Sequence, residues 1–156
     1  MSYLFQVVET QPQAAVAIRK VTSANNLPTV VEEVFNTLVE YISKMEGLAL
    51  GPSYIAYYSM DENNLEVEIG FPVSKEIKGK GDIICTKIPG GKRVVGYYKG
   101  AYAYMTNLYD EMLKWILLND LEPSNLAYEY YFNSTQQVPE NELLTKIEFL
   151  LKTPSN

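Results

Sequence analysis

The chain has 156 residues, 13 basic against 19 acidic, a formal net charge of -6, one cysteine and no histidine. That length suits one domain that needs neither metal nor disulfide to hold a core, and the absence of histidine excludes Ser-His-Asp and Cys-His catalysis and any His-ligated metal. With no basic cluster beyond Lys75-Glu-Ile-Lys-Gly-Lys80, nucleic acid is not the expected partner; with no membrane-length apolar run and no signal-peptide pattern, the expected location is the reducing cytoplasm.

Tyr3 to Glu9 and Ala14 to Val21 are short Val/Ile-rich segments joined by Thr10-Gln-Pro-Gln13, two strands or one strand broken at a turn. From Pro28 to Met45 the period changes: Val31, Phe35, Leu38, Ile42 and Met45 fall on one helix face, with Asn26 placed to cap and Gly47 to terminate. Ser53 to Ser59, the polar turn Met60-Asp-Glu-Asn-Asn64 and the alternating Leu65 to Val73 read as a hairpin, in which Glu66 and Glu68 are expected to be solvated or at a rim. Lys75 to Gly81 connects to a second half with the same order. Ile83 to Ile88, the Pro89-Gly-Gly-Lys92 turn and Arg93 to Lys99 give two strands; this turn resembles a hairpin more than a phosphate loop, and Cys85 is expected to be a buried or half-buried strand thiol. Tyr102 to Asn119 carries Met105, Leu108, Tyr109, Met112 and Ile116 at helical spacing, and strands follow at Leu126 to Asn133 and Leu143 to Leu151.

The expected fold is therefore α+β: duplicated strand-strand-helix-strand-strand (SHS2-type) units, half-repeats at about 1-75 and 82-152, with a pseudo-two-fold antiparallel sheet, two long helices and a central groove. The strand Leu126-Ala-Tyr-Glu-Tyr-Tyr-Phe132 is unusual, since alternation puts Glu129 on a face with Ala127 and Tyr131, in a chain that holds thirteen tyrosines. Matching Ala56 to Ala127 sends Ile55, Tyr57, Tyr128 and Tyr130 to the helices and leaves Tyr54, Ala56, Tyr58, Ala127, Glu129 and Tyr131 lining the groove, where a desolvated carboxylate is best met by a cationic or hydrogen-bonding ligand.

Glu68-Ile-Gly-Phe-Pro-Val73, Ile-Pro-Gly-Gly-Lys92, Lys99-Gly-Ala-Tyr102 entering a helix, Leu113-Lys-Trp-Ile116 and Tyr128-Glu-Tyr-Tyr-Phe-Asn133 resemble, in this order, the GyrI-like small-molecule-binding domains. That family is related to the effector-binding domains of multidrug-sensing MerR- and AraC-type transcription activators. The resemblance implies a groove for lipophilic, often cationic compounds with Glu129 as the principal polar contact. It also implies a standalone form, since the family-like sequence starts near Tyr3 and leaves no room for a DNA-binding segment. Two positions depart from the family pattern: Gly100-Ala-Tyr102 stands for Gly-Pro-Tyr, and Ser134-Thr135 for Asp-Pro.

The site expected from the residues and the resemblance together is Glu129 with Tyr131, Tyr54, Tyr58, Tyr102, Ala127 and Trp115, with no cofactor and no metal. Trp115, beside Leu108 and Met112, reads first as a core anchor, and Met105 and Met112 as core. The expected function is binding of small hydrophobic, cationic or electrophilic molecules. The alternatives are a hydrolase of strained electrophiles with Glu129 as catalytic base or nucleophile, and a gyrase-inhibitor type of protein whose partner is a topoisomerase.

Overall fold

Residues 3–59 and 61–153 are described by the computed structural model; Met60, part of the turn expected after Ser59, lies outside them. The elements run β1 (Phe5–Thr10), β2 (Gln13–Thr22), α1 (Leu27–Ile42), β3 (Ser53–Tyr57), β4 (Leu65–Pro72), β5 (Ile84–Ile88), β6 (Gly91–Lys99), α2 (Thr106–Leu118), β7 (Pro123–Tyr131) and β8 (Leu144–Leu151). A 3-10 turn, Tyr102–Tyr104, precedes α2. The architecture is α+β with antiparallel strands.

The first helix is shorter than its sequence pattern, because after Ile42 the hydrogen bonds tighten to three-residue spacing, as in Met45 N–H to Ile42 O at 2.9 Å, and Gly47 then turns the chain at φ 68°. Asn26 makes no side-chain cap; its own N–H donates to Ser23 Oγ at 3.2 Å.

The chain forms two compact units, residues 12–89 and residues 1–11 with 90–156. In the first, four strands pair in the order β5-β2-β4-β3. Helix α1 lies against β2 and β4, with Phe35 and Phe71 rings 5.7 Å apart. Ile18, Ile55 and Ile69 stand opposite one another on the ladders and share the Phe71 face, so the apolar side of this sheet meets the helix. At Gly70 the neighbouring strand β2 approaches closely: a Cβ there would sit 2.3 Å from Val16 O.

In the second unit the order is β1-β6-β8-β7. Leu108, Met112 and Ile116 of α2 form one buried cluster with Val94, Ala127, Ile147 and Phe149. Four consecutive residues are buried in β6 (93–96), β7 (127–130) and β8 (147–150), so both faces of these strands are covered. Each unit thus contains a strand from the far side of the sequence, β1 joining β6 and β5 joining β2.

Cys85 is exposed: β5 is the edge strand of its sheet and pairs with β2 alone. Among the described residues no helix is long and apolar enough to cross a membrane, and no group of three or more His, Cys, Asp or Glu side chains could hold a metal ion.

Candidate carboxylate site

Glu129 is only 8% exposed, and its face of β7 is the one that meets α2. Its ladder partner is Ile147, a member of the α2 cluster, and Ala127 lies on the same face opposite Phe149. Tyr109, one turn along α2 from Met105, donates its hydroxyl to Glu129 Oε2. Tyr131, two residues on in the same strand, donates to Oε1 at 2.5 Å. The rings continue outward: Tyr102 meets Tyr131 edge-on at 5.7 Å, and Tyr109 meets Phe149 edge-on at 5.6 Å. Tyr102, 45% exposed, is the member of this group nearest to water.

The orientation of β7 corrects the face assignment made from the sequence. Tyr128 and Tyr130 do not go to the helix; they lie on the opposite, likewise buried face with Glu148 and Lys146. The cause is the register of the internal match. Tyr54 stands opposite Gly70 and Tyr128 opposite Glu148, the middle residues of Ile69-Gly-Phe71 and Ile147-Glu-Phe149, so the ladders equate Tyr54 with Tyr128. Equating Ala56 with Ala127 slips this by an odd number of residues, and an odd slip moves every side chain to the other face. Ile55, not Tyr58, holds the position that corresponds to Glu129.

The two tyrosines expected from the first half lie in the other unit, around a different carboxylate. Tyr54 is fully buried and donates to Glu68 Oε2 at 2.8 Å, while Arg19 Nε donates to Oε1 at 3.0 Å and its guanidinium lies 5.1 Å from the Tyr58 ring centre. The hydrogen bond to Glu68 holds the Arg19 pKa above its ordinary value. Glu68 is 1% exposed rather than solvated, because Arg19 reaches it from the neighbouring strand; Glu66 is exposed.

Glu148 is built in the same way: Arg93 Nη1 reaches Oε1 at 2.9 Å and Lys146 Nζ reaches Oε2 at 3.1 Å, and Lys146 also lies 4.5 Å from the Tyr130 ring centre. Burial first, then the Glu148 charge, pushes the Tyr130 hydroxyl upward. Trp115 packs on Phe5 at 6.0 Å at the margin of the α2 cluster, a core position.

Among the described residues three carboxylates are therefore buried, and they differ in kind. Glu68 and Glu148 are matched by guanidinium or ammonium groups; Glu129 has two phenols and no cation among the described residues. Burial raises the Glu129 pKa above the usual carboxylate value, and the hydrogen bonds from Tyr109 and Tyr131 oppose that rise without cancelling it. Burial, and then the Glu129 charge, raises the Tyr102 hydroxyl as well. Such a group can exchange its proton for a cation, or act as a base. Tyr109 is the member of this site that the sequence did not single out; its signal was a hydroxyl at the flank of the Met105, Leu108, Met112 stripe.

The family model described as the GyrI-like small molecule binding domain matches residues 5–152. The chain belongs to the GyrI-like family. Among solved structures, this GyrI-like chain is similar to the EcmrR C-terminal domain, at 22% identity and TM-score 0.85, over 99% of this chain and all of that one. It is similar also to EcmrR in its complex with DNA, at 21% identity and TM-score 0.83 over 97% of this chain, and it spans 58% of that longer chain. SAV2435 bound to tetraphenylphosphonium matches at 13% identity and TM-score 0.69, covering 97% of this chain and 94% of that one. A hydrolase from Listeria innocua matches at 8% identity and TM-score 0.71, covering 95% and 91%. No curated protein matches the sequence. The GyrI-like chain is a small-molecule-binding domain.

Proposed function

We propose that this GyrI-like domain binds lipophilic organic cations, with the Glu129 carboxylate as counter-charge and Tyr109, Tyr131 and Tyr102 as aromatic surround. One observation carries the reading: Glu129 is buried with neutral donors on both oxygens and no cation among the described residues, whereas Glu68 has Arg19 and Glu148 has both Arg93 and Lys146. A bound cation supplies the charge that an ionised carboxylate needs in such a place, and aromatic faces add about 0.5 to 2 kcal/mol each. The tetraphenylphosphonium bound to SAV2435, a protein of similar fold, names a suitable probe. The test is calorimetric titration of that cation: Glu129→Gln is expected to stay folded and to bind at least about tenfold more weakly, a loss of about 1.4 kcal/mol. Unchanged affinity would overturn the reading.

A second reading rests on the two tyrosine hydroxyls that meet the buried Glu129 carboxylate, whose pKa burial raises. A carboxylate poised in this way can take a proton from water as the water oxygen bonds to the carbon of a strained cyclic ether. The ring C–O bond then breaks, a tyrosine hydroxyl protonates the released oxygen, and the proton taken up by Glu129 passes to that phenolate through the hydrogen bond between them. Diol formation from a small epoxide, lost in Glu129→Gln, would establish it; its absence with cation binding intact leaves a binding site alone. The repeated strand, strand, helix, strand, strand order supports an origin by duplication of an SHS2-type unit.

A further inference from the structure

Thr145 lies on β8, directly opposite Tyr131 of β7 and Tyr98 of β6. Residues directly opposite on antiparallel strands point to the same face, so Thr145 shares the face of Glu129 and Tyr131. It is one pleat along from Ile147, the ladder partner of Glu129. Its exposure is 0%, and its hydroxyl has no hydrogen-bond partner among the described residues. A threonine hydroxyl offers a donor and an acceptor, and burying it unmet works against folding, where valine would fill the same space without that cost. Two residues to either side along the chain, Leu143, just ahead of β8, and Ile147, within it, are both buried.

We propose that Thr145 is a second polar contact of the Glu129 site and sets which ligands it prefers. This rests on the reading of Glu129 given above. Thr145 is the diagonal neighbour of Glu129, which places it about 7–8 Å away by the spacing of antiparallel strands. A ligand wedged against the Tyr131 ring has the carboxylate and the hydroxyl both within reach. The class of compound that uses both is an aromatic cation with a hydrogen-bonding atom, such as a phenol or aryl ether oxygen, on an arm away from its charge. A cation that carries only hydrocarbon uses Glu129 alone.

The test compares tetraphenylphosphonium with its analogue bearing one para-hydroxyl group, on wild type, Thr145→Val and Thr145→Ser. In wild type the hydroxylated compound is expected to bind more tightly, by about fivefold, the size of one neutral hydrogen bond. Thr145→Val should remove that advantage, so that the two compounds bind alike, and Thr145→Ser should retain it. The ligand-free Thr145→Val protein should melt at a higher temperature than wild type, since the variant lacks the unmet hydroxyl. Binding of both compounds with the advantage intact in Thr145→Val, or a fall in its melting temperature, overturns the assignment of Thr145 and leaves that of Glu129 standing. Binding of neither compound by wild type overturns both.

Discussion

Tyr109 on α2 donates to Glu129 on β7, tying the helix to the carboxyl-bearing strand by a polar contact at the edge of an apolar cluster. Tyr109→Phe keeps the ring that meets Phe149 and removes the donor. The variant is expected to lose about 1–3 kcal/mol of stability in urea unfolding. It should also move the Glu129 carboxyl further above its ordinary value, because a bond to the ionised form is gone. Carboxyl NMR titration reads that shift directly.

The direction of the Glu129 shift fixes two pH dependences of opposite sign. Burial raises the folded pKa above the unfolded one, so the folded chain binds the extra proton between the two values. The Glu129 contribution to stability is therefore complete below the unfolded carboxylate pKa and is lost as pH rises through the folded value. A cation needs the ionised form, so its affinity should climb through the same window as stability falls, with a proton released on binding. Glu129→Gln should flatten both profiles, as measured by unfolding and calorimetry in buffers of different ionisation enthalpy.

The two arginine-carboxylate pairs should respond unequally to truncation. Arg93 is 2% exposed and its loss strands Glu148 with Lys146 alone, so Arg93→Ala is expected to cost about 3 kcal/mol. The Arg19 side chain is 55% exposed, and water takes its place against Glu68; Arg19→Ala should cost about 1 kcal/mol or less. Chemical denaturation of the two variants side by side decides the order.

Gly70→Ala tests the close approach of the paired strands β2 and β4. The added carbon would lie 2.3 Å from Val16 O and 2.7 Å from Ala17 Cβ, both held by the sheet. A loss of about 3 kcal/mol is expected, with the helical signal retained.

Helices and strands were legible in the sequence because Val34, Leu38 and Ile42, or Leu108, Met112 and Ile116, repeat with the helical period. Glu129 stood out in the sequence because it is the one charge in the strand Leu126-Ala-Tyr-Glu-Tyr-Tyr-Phe132. The side it faces was not legible. When residues 127–130 are all buried, alternation separates two faces without saying which one meets a helix. Glu68 was misjudged for a different cause: the Arg19 that lets it be buried lies 49 residues away in sequence and across one strand pairing in space. Cys85 reads as interior in an apolar run, and only the strand order puts it at an edge.

The strand exchange bears on how such a chain could be inherited. The path leaves the outer unit at Thr10 and returns at Gly91, which face each other across a ladder, and it enters the inner unit at Gln13 and departs at Ile88, which also face each other. The order along the chain is nested, one unit's residues set inside the other's, like a clause inside a sentence. A single genetic splice at that doorway would add or remove the inner clause while β1 and β6 kept their register as an ordinary hairpin, whereas a cut at the midpoint of the gene would leave each sheet lacking a strand.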